Sequence, residues 1–283
     1  MKILVAGKHG QVAQALVRAA SSQALDVVAL SRAEMDITDR QSVETAIADH
    51  QPAVVINAGA YTAVDRAESE IEQAFAVNKT GPLNLAKACD GAGIPLLHIS
   101  TDFVFDGCKE SAYIETDVCK PINVYGQSKL AGEEVVAKFN GRHIILRTSW
   151  VFGGEQNFVV TMRRLAQDRD QLNVVSDQVG GPTAASHIAE TLLTIAKAVV
   201  RPHFADWGIY HYCGSPAVSW YEFACEILKD EPSVGVSAIP SADYPTPAKR
   251  PRNSVLDCAK IRSIFFITQP DWKNAVSLKK EKQ

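Results

Sequence analysis

The sequence predicts an α/β fold, a doubly wound parallel sheet followed by a smaller α/β carboxyl-terminal part. Three observations carry that expectation. Short apolar runs alternate with helix-periodic stretches from Lys2 to Leu146, the rhythm of a parallel sheet with helices on both faces. The first run breaks at a glycine turn that leads straight into a helix. The later runs end in small or hydroxyl-bearing residues, at the strand ends where ligands of such sheets bind.

The first strand spans 2–6, and the turn Gly7-Lys8-His9-Gly10-Gln11-Val12-Ala13 precedes a helix whose periodic positions include Ala15, Leu16 and Ala19. Small residues at such a turn let a dinucleotide pyrophosphate reach the amides of a helix N-terminus, so Gly7, Gly10, Gln11 and Val12 are candidate cofactor contacts. A two-glycine turn also arises for backbone reasons alone. The second strand, 26–30, ends at Ser31-Arg32. An acidic residue there would favour NAD, whereas Arg32 can pair with a 2′-phosphate, which tilts the cofactor toward NADPH and leaves NADH open. The other reading of Arg32 is a solvated surface side chain. Asp36 and Ile37 follow as a polar and apolar pair for adenine.

A third strand, 52–57, delivers Ala58, Gly59 and Ala60 to the same edge. Helical stretches follow at 65–78 and 83–92, with Pro82 suited to a first helical turn. A fourth strand, 95–99, leads to Ser100, Thr101 and Asp102, and a strand over 142–146 follows the helix that carries Tyr125 and Lys129. Four residues apart on a helix, this phenol and ammonium share a face. A Lys⁺ beside a phenol favours phenolate and brings its proton nearer the working pH. Such a Tyr can exchange a proton with a carbonyl or alcohol, and Thr101 at a strand end can hold the same oxygen. An isolated Tyr-x-x-x-Lys also occurs on ordinary surface helices.

Beyond Trp150 the rhythm loosens. Helices are expected at 158–166, 185–199 and 220–229, strands at 172–175 and 208–213, and a loop at 177–183. The stretch 241–251, rich in Pro and basic residues, is an ordered loop or clamp, and 279–283 is a frayed Lys-rich tail.

Composition excludes several classes. A formal net charge of -3 with 22% charged residues gives no electrostatic case for nucleic acid or anionic lipid. No apolar run reaches membrane-spanning length, and the apolar start is too short for a signal peptide, so a cytoplasmic location is expected. The six cysteines form no CxxC pair and no zinc-like cluster with His; reduced thiols and no metal site are expected.

Taken together, the stretches GKHGQVAQAL (7–16), NAGAYTAVDRAE (57–68), VNKTGPLNLA (77–86), STDFVFDG (100–107), YGQSKLAGE (125–133), RTSWVFG (147–153), DQVGGPT (177–183) and RPRNSVLD (250–257) span nearly the whole chain. They resemble the extended short-chain dehydrogenase/reductase superfamily and, within it, the dTDP-4-dehydrorhamnose reductase family. The resemblance implies a Rossmann-like cofactor part at 1–149 with part of 184–206, and a part that binds the sugar nucleotide at 150–183 and 207–283. It implies hydride transfer from NADPH or NADH to C4 of dTDP-4-dehydro-L-rhamnose. Tyr125 would protonate O4, Lys129 would lower the phenol and hold the nicotinamide ribose, and Thr101 would orient the keto oxygen. Asp102 and Trp150 would contact the sugar nucleotide. Arg250, in the basic cluster with Lys249 and Arg252, is the expected diphosphate ligand; the other reading of that cluster is a solvated loop with no ligand.

Three departures from the family pattern stand out. Ala13 replaces a usual Gly, Phe103 replaces a frequent Tyr, and Ala15 stands where some members use a Glu at a metal-bridged dimer interface. The last removes the expectation of that metal, and a homodimer is left open. Two other functions compete. An epimerase or dehydratase of the same superfamily is one, although a dehydratase-like Glu after Asp102 is absent. A non-catalytic, NADP-binding regulatory subunit is the other, and it would not need Thr101, Tyr125 and Lys129 together.

Overall fold

The computed structural model describes residues 1–277; the expected tail at 279–283 lies outside the described residues. Six strands, β1 (Lys2–Ala6), β2 (Asp26–Leu30), β3 (Val54–Asn57), β4 (Leu96–Thr101), β5 (His143–Thr148) and β10 (Gly208–His211), form one sheet in the order β10-β5-β4-β3-β1-β2. Every neighbouring pair in it is parallel. The chain runs outward from β1 to β2 and then returns to the other side of β1 with β3, which makes the gap between the β1 and β3 carboxyl ends the topological switch point.

Helices α1 (Gln11–Ser22) and α8 (Ala185–Val199) cover one face, where Leu16, Ile188 and Leu192 join Ile3, Val5, Val54 and Ile56 in one core. Helices α2 (Arg40–His50), α5 (Gly81–Ala92) and α6 (Val124–Phe139) cover the other, where Val43, Leu85 and Val136 meet Leu4, Val55 and Leu96. Successive side chains of a strand point to opposite faces, so strands covered on both sides read as unbroken apolar runs.

The helix expected at 65–78 is instead α3 (Val64–Ala67), α4 (Ile71–Phe75) and a π-helical turn over Ala76–Thr80 that feeds α5. The wider turn brings Asn78 inward, where its side chain accepts from the Tyr61 amide and donates to the Tyr61 carbonyl and to Ser128. These polar demands outweigh the regular helical ladder, a common origin of π turns. β5 runs further than expected, because the buried Arg147 in it is paired with Glu133.

A third apolar cluster joins β6 (Val151–Phe152), α7 (Phe158–Asp168), β7 (Gln171–Val175), β9 (Thr183–Ala184), α9 (Trp220–Ile227) and α11 (Trp272–Ser277) through Phe152, Val159, Leu172, Ala184, Phe223 and Trp272. β12 (Gly235–Ile239) pairs in parallel with β7; its residues are exposed or half-buried, so apolar pattern alone gave no strand there. β8 (Val179–Gly180) pairs with β11 (Val218–Ser219), and β6 with β9. One expected boundary is corrected: β10 falls in the stretch assigned to the second part, yet it bonds to β5 as the last strand of the main sheet. Its residues Tyr210 and His211 are buried there, so it completes the first layer and not the second. Helix α10 (Ala259–Phe265) packs its Ile261 and Phe265 in that same first core. No helix among the described residues is long and apolar enough to cross a membrane.

Candidate active site

A cleft of about 750 Å³ opens at the carboxyl ends of the sheet strands, lined by the glycine turn, the residues after β3 and β4, and both Tyr125 and Lys129. Its floor lies at the switch point. Gly7 has φ +93°, and a Cβ on it would stand 2.8 Å from the Gly59 backbone, so the turns after β1 and β3 come this close because Gly7 lacks a side chain. Gly10 caps α1 with no side-chain hydrogen bond, and Gly10, Gln11 and Val12 face the cleft. A helix start with free amides suits a phosphate. Gln11 also reaches across, its Oε1 accepting from the Gly154 amide at 2.9 Å.

Beyond β3, Asn57 Oδ1 accepts from the Gly59 amide at 3.1 Å, and Ala58, Gly59 and Ala60 line the opening. β4 ends in Thr101, whose hydroxyl donates to Asp102 Oδ1 at 2.9 Å and accepts from the Phe103 amide at 3.2 Å. α6 is pinned at its start: Asn123 accepts from the Gly126 amide at 2.7 Å and donates to the Lys249 carbonyl at 2.7 Å. A Cβ on Gly126 would overlap the Phe103 carbonyl oxygen at 2.2 Å, so this helix lies hard against the turn that follows Thr101. The Tyr125 phenol and Thr101 thereby line the same part of the cleft. Lys129 donates from Nζ to the Ile99 carbonyl at 2.7 Å.

Electrostatics correct one expectation. Burial pushes the Tyr125 phenol up to about 12, with Asp102 acting in the same direction and the Thr101 hydrogen bond against it; Lys129 is not among the groups that lower it. The phenol is therefore protonated at neutral pH, the form a proton donor needs. Burial lowers Lys129 to about 8, opposed by the charge of Glu133. Burial also raises the Asp102 carboxyl to about 6, against hydrogen bonds from Ser254 and Thr101.

The opposite wall comes from the second half. Trp150 has φ +46°, a region that bulky residues occupy only when their surroundings hold them there. Its indole stacks on Trp220 with centroids 3.5 Å apart and planes 7° from parallel. Gly180 leaves room for the Trp150 ring, since a Cβ there would stand 2.6 Å from it. Both tryptophans line the cleft. Trp220 was not singled out from sequence: it opens a helix far along the chain and no local pattern links it to Trp150. Thr148, at the end of β5, also lines the cleft, and its buried hydroxyl has no partner among the described residues.

The structure brings together Gly10, Gln11, Val12, Ala58, Gly59, Ala60, Thr101, Asp102, Tyr125, Lys129 and Trp150. Five expected contacts are not among the residues that line it: Gly7, packed against Gly59, and Arg32, Asp36, Ile37 and Arg250. Arg32, with 72% of its side chain exposed, pairs with Asp36 at 2.9 Å. The Asp36 carboxylate also accepts from the Thr38 amide and hydroxyl, and Ile37 is buried against Gly59 and Gly81. The Arg250 guanidinium is bonded within the protein: it grips Asp65 at 3.0 and 2.8 Å, Thr246 Oγ1 at 2.6 Å and the Ala248 carbonyl at 2.9 Å. These bonds tie the 246–250 loop to α3.

Residues 1–282 match the family model described as RmlD substrate binding domain. A dTDP-4-dehydrorhamnose reductase of Aggregatibacter actinomycetemcomitans is 44% identical over 284 residues, covering 97% of each chain. One from Sinorhizobium fredii is 45% identical, covering 97% of this chain and 95% of the relative. Among solved structures, the dTDP-4-dehydrorhamnose reductase of Clostridium acetobutylicum superposes with a TM-score of 0.94 at 34% identity, covering 99% of both chains. That of Bacillus anthracis, in complex with NADP, superposes with 0.93 at 30% identity, covering 100% of this chain and 99% of its own.

Proposed function

The chain belongs to the RmlD substrate-binding-domain family, and from that premise we propose that it reduces the C4 keto group of dTDP-4-dehydro-L-rhamnose to give dTDP-L-rhamnose, with NADPH as reductant and NADH as a second choice. The observation that carries the reading is the meeting of Thr101, Tyr125 and Lys129 at the end of a cleft that begins at the glycine turn. The cradle fits a dinucleotide: free amides at the start of α1, two apposed glycines and the unpartnered Thr148 hydroxyl. When bound, NADPH supplies the hydride that C4 accepts.

The protein's own groups manage the oxygen. As the carbonyl electron pair moves onto O4, Tyr125 gives its phenolic proton to that oxygen, and the phenolate is reprotonated from solvent. An alkoxide is a far stronger base than a phenolate, so even a phenol raised to about 12 delivers the proton downhill. Thr101 orients O4 by turning its hydroxyl proton away from Asp102. Lys129 would hold the nicotinamide ribose of a bound cofactor, and its charge balances the negative charge that develops on Tyr125. Trp150 and Trp220 present a flat apolar face to the sugar nucleotide.

The division of labour follows the cores. The six-stranded sheet holds the cofactor, and the third cluster with its loops holds the dTDP-sugar. A cytoplasmic location fits the six free thiols. Incubation with NADPH and dTDP-4-dehydro-L-rhamnose, with absorbance of the reduced cofactor followed and the product identified by NMR, tests the assignment. Consumption of NADPH with formation of dTDP-L-rhamnose is expected; no consumption, or another product, overturns it.

A further inference from the structure

Behind Lys129, α6 carries a second buried charge that the reduction as described does not use. Lys129 and Glu133 are four residues apart and each is 2% exposed, so both project from one face into the protein. Glu133 is held from two strands at once. Its Oε1 accepts from Ser100 Oγ at 2.5 Å and from Arg147 Nε at 2.9 Å, while Oε2 accepts from Arg147 Nη2 at 2.6 Å. Ser100 and Arg147 are register partners on β4 and β5. Arg147 is itself fixed by the Cys119 thiol at 3.2 Å, by His211 at 3.4 Å and by the Phe105 ring at 5.1 Å.

The surroundings of Lys129 leave Glu133 as its anion. Its own hydrogen bond goes to a neutral acceptor, the Ile99 carbonyl. From β4 it faces His98, which in turn has His143 of β5 beside it, and both are held neutral because burial lowers their pKa values. His211 on β10 is lowered to about 3 for the same reason. The Arg147 guanidinium is committed to Glu133, the Cys119 thiol is raised by burial, and Tyr125 is a neutral phenol. Asp102, on the turn beyond β4, accepts from the Thr101 hydroxyl at 2.9 Å. A lone ammonium in such a place would give up its proton.

We propose that Glu133, clamped by Arg147 and Ser100, is a positioning residue for the reduction: it is the buried counter-charge that keeps Lys129 an ammonium at working pH. The inference rests on the reading of Lys129 as the cation beneath the cofactor and Tyr125. The opposing pulls of burial and of Glu133 on Lys129 agree with it. Since Lys129 loses its proton as pH rises, its titration sets the alkaline limit of activity, and removal of the Glu133 charge should move that limit to lower pH.

The test is the pH profile of kcat/KM, with NADPH affinity followed by fluorescence over the same range. Glu133→Gln should shift the alkaline limit acidward by roughly one unit or more, with weaker NADPH binding above it, whereas Glu133→Asp should restore most of the wild-type profile. Glu133→Gln leaves Arg147 without its anion, so the double variant Glu133→Gln/Arg147→Met removes both charges and carries the test where the single variant does not fold. A persistent acidward shift in the double variant is expected. A wild-type limit in it would mean that Glu133 serves only to neutralise Arg147, and would overturn the inference. A wild-type protein that does not reduce the sugar nucleotide sinks the underlying reading; an active one whose limit does not move in these variants sinks the inference alone.

Discussion

The wall of the cleft that carries Thr101, Tyr125 and Lys129 is set by β4, β5 and a helix pressed against them, whereas the wall of Trp150 and Trp220 is set by a loop residue after β5 and the first residue of α9, distant in sequence. On the first wall each side chain is placed by its own element: Thr101 by a strand end, Tyr125 and Lys129 by helical spacing. On the second, position comes from contacts between segments, such as the stacked tryptophans and the Gly180 gap beneath them. The difference teaches that one wall is positioned within single elements and the other by packing between distant segments, and the two walls should respond differently to substitution.

The sharpest contrast is expected at Tyr125. Tyr125→Phe keeps the ring packed on Phe103 and removes only the proton donor, so turnover should fall on the order of 10²–10⁴-fold while NADPH binding and melting temperature stay near wild type. Single-turnover kinetics check this where chemistry limits the rate; retained turnover would move the acid to another group.

Asp102 sharpens the comparison from the side of stability. Its buried carboxyl is raised to about 6, so the folded state holds a proton that the unfolded state releases near pH 4. That contribution to stability is complete below the unfolded value and is lost as pH rises through about 6. At neutral pH Asp102→Asn should therefore stabilise the fold, by roughly 2–3 kcal/mol, and the gain should vanish near pH 4. Thermal melts of both proteins across pH decide it. An equal gain at both ends would point to packing and not to the charge.

Arg250 tests the loop wall. With the guanidinium spent on a partly exposed Asp65, Arg250→Ala and Asp65→Ala should each cost about 1 kcal/mol and the pair should not add. A rise in KM for the sugar nucleotide in Arg250→Ala that Asp65→Ala does not share would return Arg250 to the substrate. The smallest effect is expected at Arg32, where Arg32→Ala should shift preference from NADPH toward NADH by about 1 kcal/mol. Equal changes in both affinities, measured by titration, would leave Arg32 as the surface partner of Asp36.

The strand-end wall was legible because its signals are local. A glycine turn between a strand and a helix, and a Tyr and Lys four residues apart, fix geometry through the period of one element. The π-helical turn at Ala76–Thr80 was not legible, since it answers to Tyr61 and Ser128 across the fold. The Arg250 ion pair was not legible for a related reason: its basic neighbours suggested an anionic ligand, while its partner Asp65 lies 185 positions away. Glu133 lay within a recognised stretch, but its meaning required Arg147 and Ser100 from two strands. β10 escaped assignment to the main sheet because a parallel edge strand can follow its neighbour at any distance along the chain.

The central claim, that this cleft delivers hydride to C4 while Tyr125 supplies the proton to O4, is tested most directly by tracing both hydrogens. The protein is given NADPH carrying deuterium at the transferred position, with dTDP-4-dehydro-L-rhamnose in ordinary water, and the product is analysed by NMR. The account predicts dTDP-L-rhamnose with deuterium at C4 and none elsewhere on the sugar, formed at a rate that collapses in Tyr125→Phe. Deuterium at another carbon, or C4 labelling that proceeds equally fast without the Tyr125 hydroxyl, would contradict it.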